Sequence, residues 1–155
     1  MAIANPVQKD QHAAKKTGRG DGMSHQLAWE PEGILVCYYG HLTIAEVARV
    51  TQLYQADERY ESLHYIVHDC LQCTGASYST EILMELAATD GVASQQNPNT
   101  RIAIVATHPE VVAIAREYIA TGMNRHEVRL FSSVDDARQW AMAESRPRHH
   151  WGVRQ

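Results

Sequence analysis

The sequence predicts a single α/β domain built on a mixed sheet of four to five strands with about four helices. Strand-like and helix-like blocks alternate from residue 26 onward, in the order ββαβαβαβα. Each strand after the first pair is reached through a helix, and such crossovers make neighbouring strands parallel. A chain of 155 residues is also long enough to bury a core without disulfides or metal.

Composition and charge exclude several classes of protein. The chain is 45% hydrophobic and 21% charged, which is typical of a globular domain rather than a fibrous or disordered one. No stretch approaches the roughly 20 uncharged apolar residues that a membrane helix needs, and residues 1–22 lack the apolar segment of a secretory signal. We therefore expect a cytoplasmic protein.

The charge distribution divides the chain into three parts. Residues 1–24 and residues 145–155 are both basic, whereas residues 25–144 hold seven Arg, no Lys and sixteen Asp and Glu, a net charge of −9. An acidic body repels nucleic acid, so we expect no nucleic-acid partner. We predict a flexible leader over 1–24, the α/β domain over 25–144 and a basic C-terminal tail over 145–155.

The first two strands form a predicted hairpin. Residues 26–29 and 34–39 are rich in residues that favour strands, and Pro31 and Gly33 occupy the turn positions that a type I turn prefers. This hairpin places an antiparallel strand at an edge of the sheet.

The first helix is predicted to begin at Thr43, which forms a T-x-x-E capping box with Glu46. Apolar residues then recur at helical spacing until about Asp57. The predicted buried stripe consists of Val47, Val50, Leu53 and Tyr54.

The next strand is predicted over 63–68 and ends at Asp69. A second helix over 81–88 follows, with Ser79 or Thr80 as its cap and Gly91 as its stop signal. Its predicted buried side is formed by Ile82, Leu83 and Leu86.

The last two strand-helix units are the most regular. The apolar run 101–106 predicts a central parallel strand, and a second T-x-x-E box at Thr107 and Glu110 opens a helix that ends at Gly122. A strand over 127–131 and a helix over 134–142, capped by Ser132 or Ser133, complete the domain.

Three features of the sequence form a combined pattern. They are the hairpin ending at Gly40, the motif RIAIV at 101–105, and the motif EVRLF at 127–131, which is followed by a capped helix near Trp140. Over residues 26–143 this pattern resembles the SpoIIAA-like group of the STAS superfamily, named after sulfate transporters and anti-sigma-factor antagonists. The resemblance implies a STAS-type fold, a cytosolic protein and a regulatory or ligand-binding role. It also makes the folds of CRAL-TRIO lipid carriers relatives of this one.

In the anti-sigma-factor antagonists of this family, the third strand leads to an Asp-Ser-Ser-Gly-type loop whose phosphorylatable Ser controls partner binding. Asp69 matches the acid of that loop, but no Ser follows it directly. Ser77 and Ser79 are only approximate substitutes for the phosphorylated residue.

Ligands of open parallel sheets bind beyond the carboxyl ends of the strands. We therefore predict that polar side chains after three of the strands share one edge and bind a protein partner or a small apolar ligand. These residues are His41, His68, Asp69, Cys70, Cys73, Ser77, Ser79 and His108. The leading hypothesis is a non-enzymatic STAS-like module without a metal or cofactor, and the edge strand and apolar helix faces are compatible with a homodimer.

Two alternatives use the same residues or the same fold. The His and Cys side chains could form a metal- or thiol-dependent small enzyme or sensor, although a single C-x-x-C is a weak signal. A lipid carrier would instead require an apolar cavity. Six tyrosines resemble an aromatic cage but are interpreted as packing residues whose hydroxyls reach the surface: Tyr38, Tyr39, Tyr54, Tyr60, Tyr65 and Tyr78.

Overall fold

A computed structural model describes residues 22–143 of the chain. They form five strands and four α-helices in the predicted order, with a short 3-10 helix after the first α-helix. The strands are β1 (Ser24–Trp29), β2 (Gly33–Thr43), β3 (Tyr65–Ser77), β4 (Arg101–Val105) and β5 (Glu127–Phe131). The helices are α1 (Ile44–Gln55), α2 (Thr80–Ala93), α3 (Pro109–Ala120) and α4 (Val134–Met142), and the 3-10 helix spans Glu58–Ser62.

The strands follow one another in the sheet in the order in which they occur in the chain. β1 pairs with β2 in the antiparallel direction, and all other neighbours are parallel. The predicted α/β class, the mixed sheet and the antiparallel edge hairpin are therefore confirmed. The middle of the five strands is β3, and β4 lies one position further along.

The four helices divide between the two faces of the sheet. Right-handed crossovers between successive neighbouring strands carry α1, α2 and α3 to the same face. On that face side chains such as Ile66 and Ile102 are buried, whereas Val67 and Ala103 from the same strands pack on α4 on the other face. We call these the three-helix face and the α4 face.

β2 and β3 are longer than the sequence predicts. The prediction that β3 ends at Asp69 is wrong, because its pairing with β2 continues to Ser77. The register shifts twice along this pairing, between Cys37 and Tyr39 and again after Gly40. Gly40 has a φ of 82°, a backbone conformation that side chains other than glycine rarely adopt.

Several helix ends differ in detail from the predicted caps. Thr43 precedes α1 without a capping side-chain bond, and α3 is capped by His108 rather than Thr107. Gly91 does not end α2, which continues to Ala93. A β-carbon at Gly91 would lie 2.5 Å from the carbonyl oxygen of Met123, so the glycine permits a close approach of that segment.

Two residues assigned to buried stripes are on the outside. Leu53 in α1 is 58% exposed and Ile82 in α2 is 38% exposed. The remaining predicted buried positions of the two helices contact the core, with Val47 only partly buried.

Within residues 22–143, no helix has both the length and the apolar character that crossing a membrane requires. Most of the predicted leader and the predicted basic tail lie outside the described residues.

Candidate functional site

A cavity of about 80 Å³ lies between the three-helix face of the sheet and helices α1, α2 and α3. Apolar side chains from all of these elements form most of its wall. They include Leu42, Val47, Ile66, Leu86, Ile104 and Ala115. A volume of this size exceeds the roughly 10–15 Å³ that a single water needs.

The position of α2 explains why this space is not filled. α2 packs mainly on α1 and α3 rather than closely on a strand of the described sheet. The apolar residues on this side form two clusters, which share partly buried residues such as Val47 and Ile104. One joins the sheet to α1 and the start of α3, and the other joins α2 to α1 and α3 through residues such as Leu83 and Ile114. The cavity is lined by members of both clusters.

One end of the cavity is polar and centres on Asp90 of α2. The Tyr118 hydroxyl donates a hydrogen bond to Asp90 Oδ2 at 2.5 Å, and Gln55 Nε2 donates to Oδ1 at 3.2 Å. Asn124 Nδ2 donates in turn to the Tyr118 hydroxyl at 2.8 Å. All four side chains line the cavity, so three helices and the loop after α3 meet at this carboxyl group.

Burial raises the pKa of Asp90 to about 6, although the hydrogen bonds from Tyr118 and Gln55 act in the opposite direction. Burial, followed by the nearby Asp90 charge, also raises the pKa of Tyr54 and Tyr118, and raises that of Tyr60 to about 12. These tyrosines therefore stay neutral at ordinary pH. Asp90, by contrast, changes between its neutral and ionised forms at a pH of about 6.

The wall opposite α2 carries His68 of β3 and Tyr38 of β2. The Tyr38 hydroxyl lies 3.3 Å from His68 Nδ1, and the two rings are stacked with centroids 5.9 Å apart. Burial lowers the pKa of His68 to about 4, which keeps this imidazole neutral. Tyr38 and Tyr54 are almost fully buried, so the expectation that their hydroxyls reach the surface is wrong.

His126, just before β5, leaves one ring nitrogen without a partner. Its Nε2 lies 2.9 Å from the backbone oxygen of Asn97 and 3.0 Å from the side-chain oxygen of the same residue. Two oxygens at this distance require a hydrogen on Nε2. Nδ1 is buried without a hydrogen-bond partner among the described residues, and His126 lines the cavity.

The two cysteines of the predicted site point to the three-helix face, and both are buried free thiols. Cys70 lines the cavity, and Cys73 Sγ lies 3.8 Å from the backbone oxygen of Tyr38. The neighbouring Cys73 thiol and burial raise the pKa of Cys70, whereas Cys70 lowers the pKa of Cys73. Cys70 is therefore a protonated thiol rather than a reactive thiolate.

Three further predicted residues lie at the carboxyl rim of the sheet. His41 Nε2 is 3.0 Å from Ser77 Oγ, and His108 Nδ1 accepts a hydrogen bond from the backbone of Glu110. Glu110 Oε2 accepts from the backbone nitrogen of Ala76 at 2.8 Å. The fold therefore brings His41 and Ser77 into contact. Glu110 connects the end of β3 to the start of α3, where His108 lies.

The last two predicted residues take no part in these rim contacts. Asp69 belongs to the α4 face, where its carboxylate accepts a hydrogen bond from the backbone of Leu71. Ser79 is the exposed N-cap of α2, and its hydroxyl accepts from the backbone of Ile82 at 3.2 Å. The eight residues therefore do not form one pocket. Successive residues of an extended strand point to opposite faces, which places Asp69 apart from His68 and Cys70.

Sequence reasoning did not single out Asp90, Gln55, Asn124 or His126. A signal for Asp90 exists: together with Leu83, Leu86 and Ala87 it follows the spacing i, i+3, i+4, i+7 on α2. An acid on the buried stripe of an apolar helix indicates a buried carboxyl group. Among residues 22–143, no three His, Cys, Asp or Glu side chains come close enough together to hold a metal ion.

Comparison with known proteins supports the architecture. No protein-family model and no curated protein matches this sequence. Among solved structures, an anti-sigma factor antagonist from Mycobacterium paratuberculosis is similar, with a TM-score of 0.55 and 18% sequence identity. The match covers 80% of this chain and 97% of that one.

A second similar structure is an uncharacterized protein of the DUF3478 family from Shewanella loihica PV-4, which has a SpoIIAA-like fold. It matches with a TM-score of 0.50 and 16% identity over 82% of this chain and 99% of that chain. Both matches span almost the whole of the other protein, so the likeness extends to the entire domain. The chain therefore has a SpoIIAA-like fold, as the sequence pattern predicts.

Proposed function

We propose that this chain is a non-enzymatic, STAS-like regulatory module that binds a small apolar ligand in the cavity beneath α1, α2 and α3. The observation that carries the proposal is the cavity itself, whose wall consists mainly of aliphatic and tyrosine side chains. Binding sites for small molecules are typically apolar spaces with a few convergent polar groups. The Asp90 cluster supplies such groups.

The proposal changes the place of binding expected from the sequence. Of the eight predicted residues, only His68 and Cys70 line the cavity. The rim residues His41 and Ser77 engage each other at the surface instead. The ligand is therefore expected under the helices, and the rim is left for other contacts.

Binding of a neutral apolar probe, 1-octanol, tests this proposal when it is compared between the wild-type protein and a variant whose cavity is filled. Isothermal titration calorimetry should show saturable one-to-one binding to the wild-type protein. Ala115→Phe places a ring in the cavity and should weaken binding by at least about tenfold, since the probe loses its space. Ala113→Phe adds the same ring on the exposed side of α3 and is the matched control.

Absence of saturable octanol binding to the folded wild-type protein would contradict the proposal. Equal weakening by Ala113→Phe and Ala115→Phe would also contradict it, because the ring would then act without occupying the cavity.

A protein partner is the second candidate, and a different surface favours it. Tyr78 and Ile82 are apolar side chains exposed beside Ser79, where β3 passes into α2. One similar structure is that of an anti-sigma factor antagonist, a protein defined by its effect on another protein. Ile82→Glu should weaken a purified partner complex that uses this surface and leave octanol binding unchanged.

A further inference from the structure

Among the described residues, the cavity is lined by one carboxyl group and by no Lys or Arg. Asp90 is the only Asp, Glu, Lys or Arg among the described residues that line it. Burial lowers the pKa of both histidines of the wall, His68 and His126, so each is a neutral imidazole near pH 7. The cavity therefore offers an anionic ligand no positive charge and places a carboxylate near it.

The polar end of the cavity also has more acceptors than donors. Each carboxylate oxygen can accept two hydrogen bonds, and each oxygen of Asp90 receives one from the described side chains. His126 Nδ1 is an acceptor as well, because its Nε2 holds the hydrogen that faces the oxygens of Asn97. A buried acceptor without a donor destabilises the folded protein, so a ligand that supplies a hydrogen here would remove that cost.

A chain of hydrogen bonds places these two acceptors in one part of the molecule. Asp90 binds the Tyr118 hydroxyl, which accepts from Asn124 Nδ2. The side-chain oxygen of Asn124 accepts from the backbone nitrogen of His126 at 2.9 Å. Asp90 and His126 are therefore linked through only two intervening residues, and all four line the cavity.

Aromatic rings complete this environment. Tyr54 and Tyr60 lie with their ring centroids 6.2 Å apart, and both line the cavity. The Asp90 carboxyl group lines the same cavity as both rings. The face of a tyrosine ring attracts a cation, and this attraction is strongest where water is excluded.

We infer that the cavity takes an apolar molecule carrying one protonated amine, that the amine donates a hydrogen bond to the Asp90 carboxylate, and that His126 Nδ1 is a further acceptor in the wall of the same cavity. This inference rests on the proposed function, because it names the chemistry of the ligand that the cavity binds. An ammonium group provides several donors and one positive charge, which matches the unpaired acceptors and the single carboxylate. The remainder of the molecule would contact the aliphatic part of the wall.

Three probes with the same eight-carbon chain test the inference: octylamine, 1-octanol and octanoate. Calorimetry at pH 7 should show that octylamine binds at least about tenfold more tightly than octanoate and more tightly than 1-octanol. Asp90→Asn should abolish most of the preference for the amine while 1-octanol still binds. Glu81→Gln removes the same charge from the exposed start of α2 and should leave the preference unchanged.

His126→Phe provides a second variant that does not depend on the Asp90 substitution. It removes the unpaired Nδ1 acceptor and should reduce octylamine binding by several-fold with a smaller effect on octanoate. Thermal unfolding of each variant verifies that the protein is folded before the titrations are compared.

The outcomes separate the two proposals. If 1-octanol binds but octylamine has no advantage, or octanoate binds most tightly, the amine inference is overturned and the proposed function stands. If none of the three probes binds to folded wild-type protein, the proposed function fails and the inference fails with it. If Glu81→Gln reduces the preference as much as Asp90→Asn, long-range charge rather than the cavity carboxylate is responsible.

Discussion

The two faces of the sheet are covered in different ways. On the α4 face the helix presents Ala137 and Ala141, and the strand beneath presents Ala103, so the two backbones approach closely and leave these residues buried. On the three-helix face Tyr38, Tyr54 and Tyr118 line the wall, and α2 is kept away from the strands. Small side chains on α4 and the strand beneath permit direct contact of the helix with the sheet. The large side chains around the cavity hold the helices and the sheet apart and leave a space that they do not fill.

The polar bonds that hold the helices also differ between the two faces. Arg138 of α4 forms a bidentate pair with Glu30 in the hairpin turn, at 2.8 and 3.0 Å, and the Tyr65 hydroxyl donates to the same carboxylate. α2 is held to its neighbours by polar bonds at Asp90 and by a small apolar cluster. The α4 face thus combines apolar packing with an ion pair to another element, and the three-helix face combines apolar packing with empty volume.

The largest expected effect comes from adding the same atoms to each face. Ala137→Leu forces additional carbons into a fully buried contact and should lower the free energy of unfolding by about 2–3 kcal/mol. Ala115→Leu adds the same atoms beside the cavity and should change it by less than about 1 kcal/mol. Urea denaturation of both variants measures the difference. Equal losses would show that the cavity cannot accept side-chain volume.

A smaller effect is expected from the pH dependence of Asp90. Its pKa of about 6 in the folded protein lies above the ordinary value of 3.8, so the folded state holds the proton more firmly and loses stability as pH rises from about 4 to about 6. Asp90→Asn carries no such charge. It should gain about 1–2 kcal/mol relative to wild type across this range, after allowance for screening by solvent.

The protonation of His68 changes the free energy of unfolding in the opposite direction, so its contribution has to be removed by a comparison of two proteins. Its pKa of about 4 lies below the ordinary 6.5, so it costs stability as pH falls from about 6.5 to 4. Both proteins contain His68, so the difference between wild type and Asp90→Asn isolates the carboxyl group. Urea denaturation between pH 4 and pH 7 gives this difference, and a constant value would contradict the burial of the Asp90 charge.

The smallest effect is expected at the rim. The bond between His41 and Ser77 is exposed to solvent, so Ser77→Ala should change the free energy of unfolding by less than about 0.5 kcal/mol. The same denaturation experiment measures it. A loss above about 1 kcal/mol would mean that the rim is coupled to the core, and would weaken the distinction between surface and cavity.

The order of elements could be predicted from the sequence because each one carries a local signal. The apolar run of β4 and the serine caps of α2 and α4 mark elements that the structure confirms. The second half of β3 carries no such signal, since residues 69–77 contain Gly, Ser and Thr and read as a loop. Its pairing with β2 maintains it as a strand, and that is tertiary information.

The cavity could not be predicted from the sequence for a related reason. Periodicity indicates which side of α2 is buried, and it would have included Asp90 with Leu83 and Leu86. It does not indicate how far the helix lies from the sheet. That separation depends on side chains of α1 and α3, such as Tyr54 and Tyr118, whose packing appears only when the elements are assembled.

The support of α2 by helices rather than strands has a mechanical consequence. The ladder of hydrogen bonds that joins the five strands is made by the strands alone, so a displacement of α2 would leave it intact. Entry of a ligand by displacement of this one helix would therefore require no change in the sheet. α4, on the opposite face, would keep its packing on the sheet and its pair with Glu30.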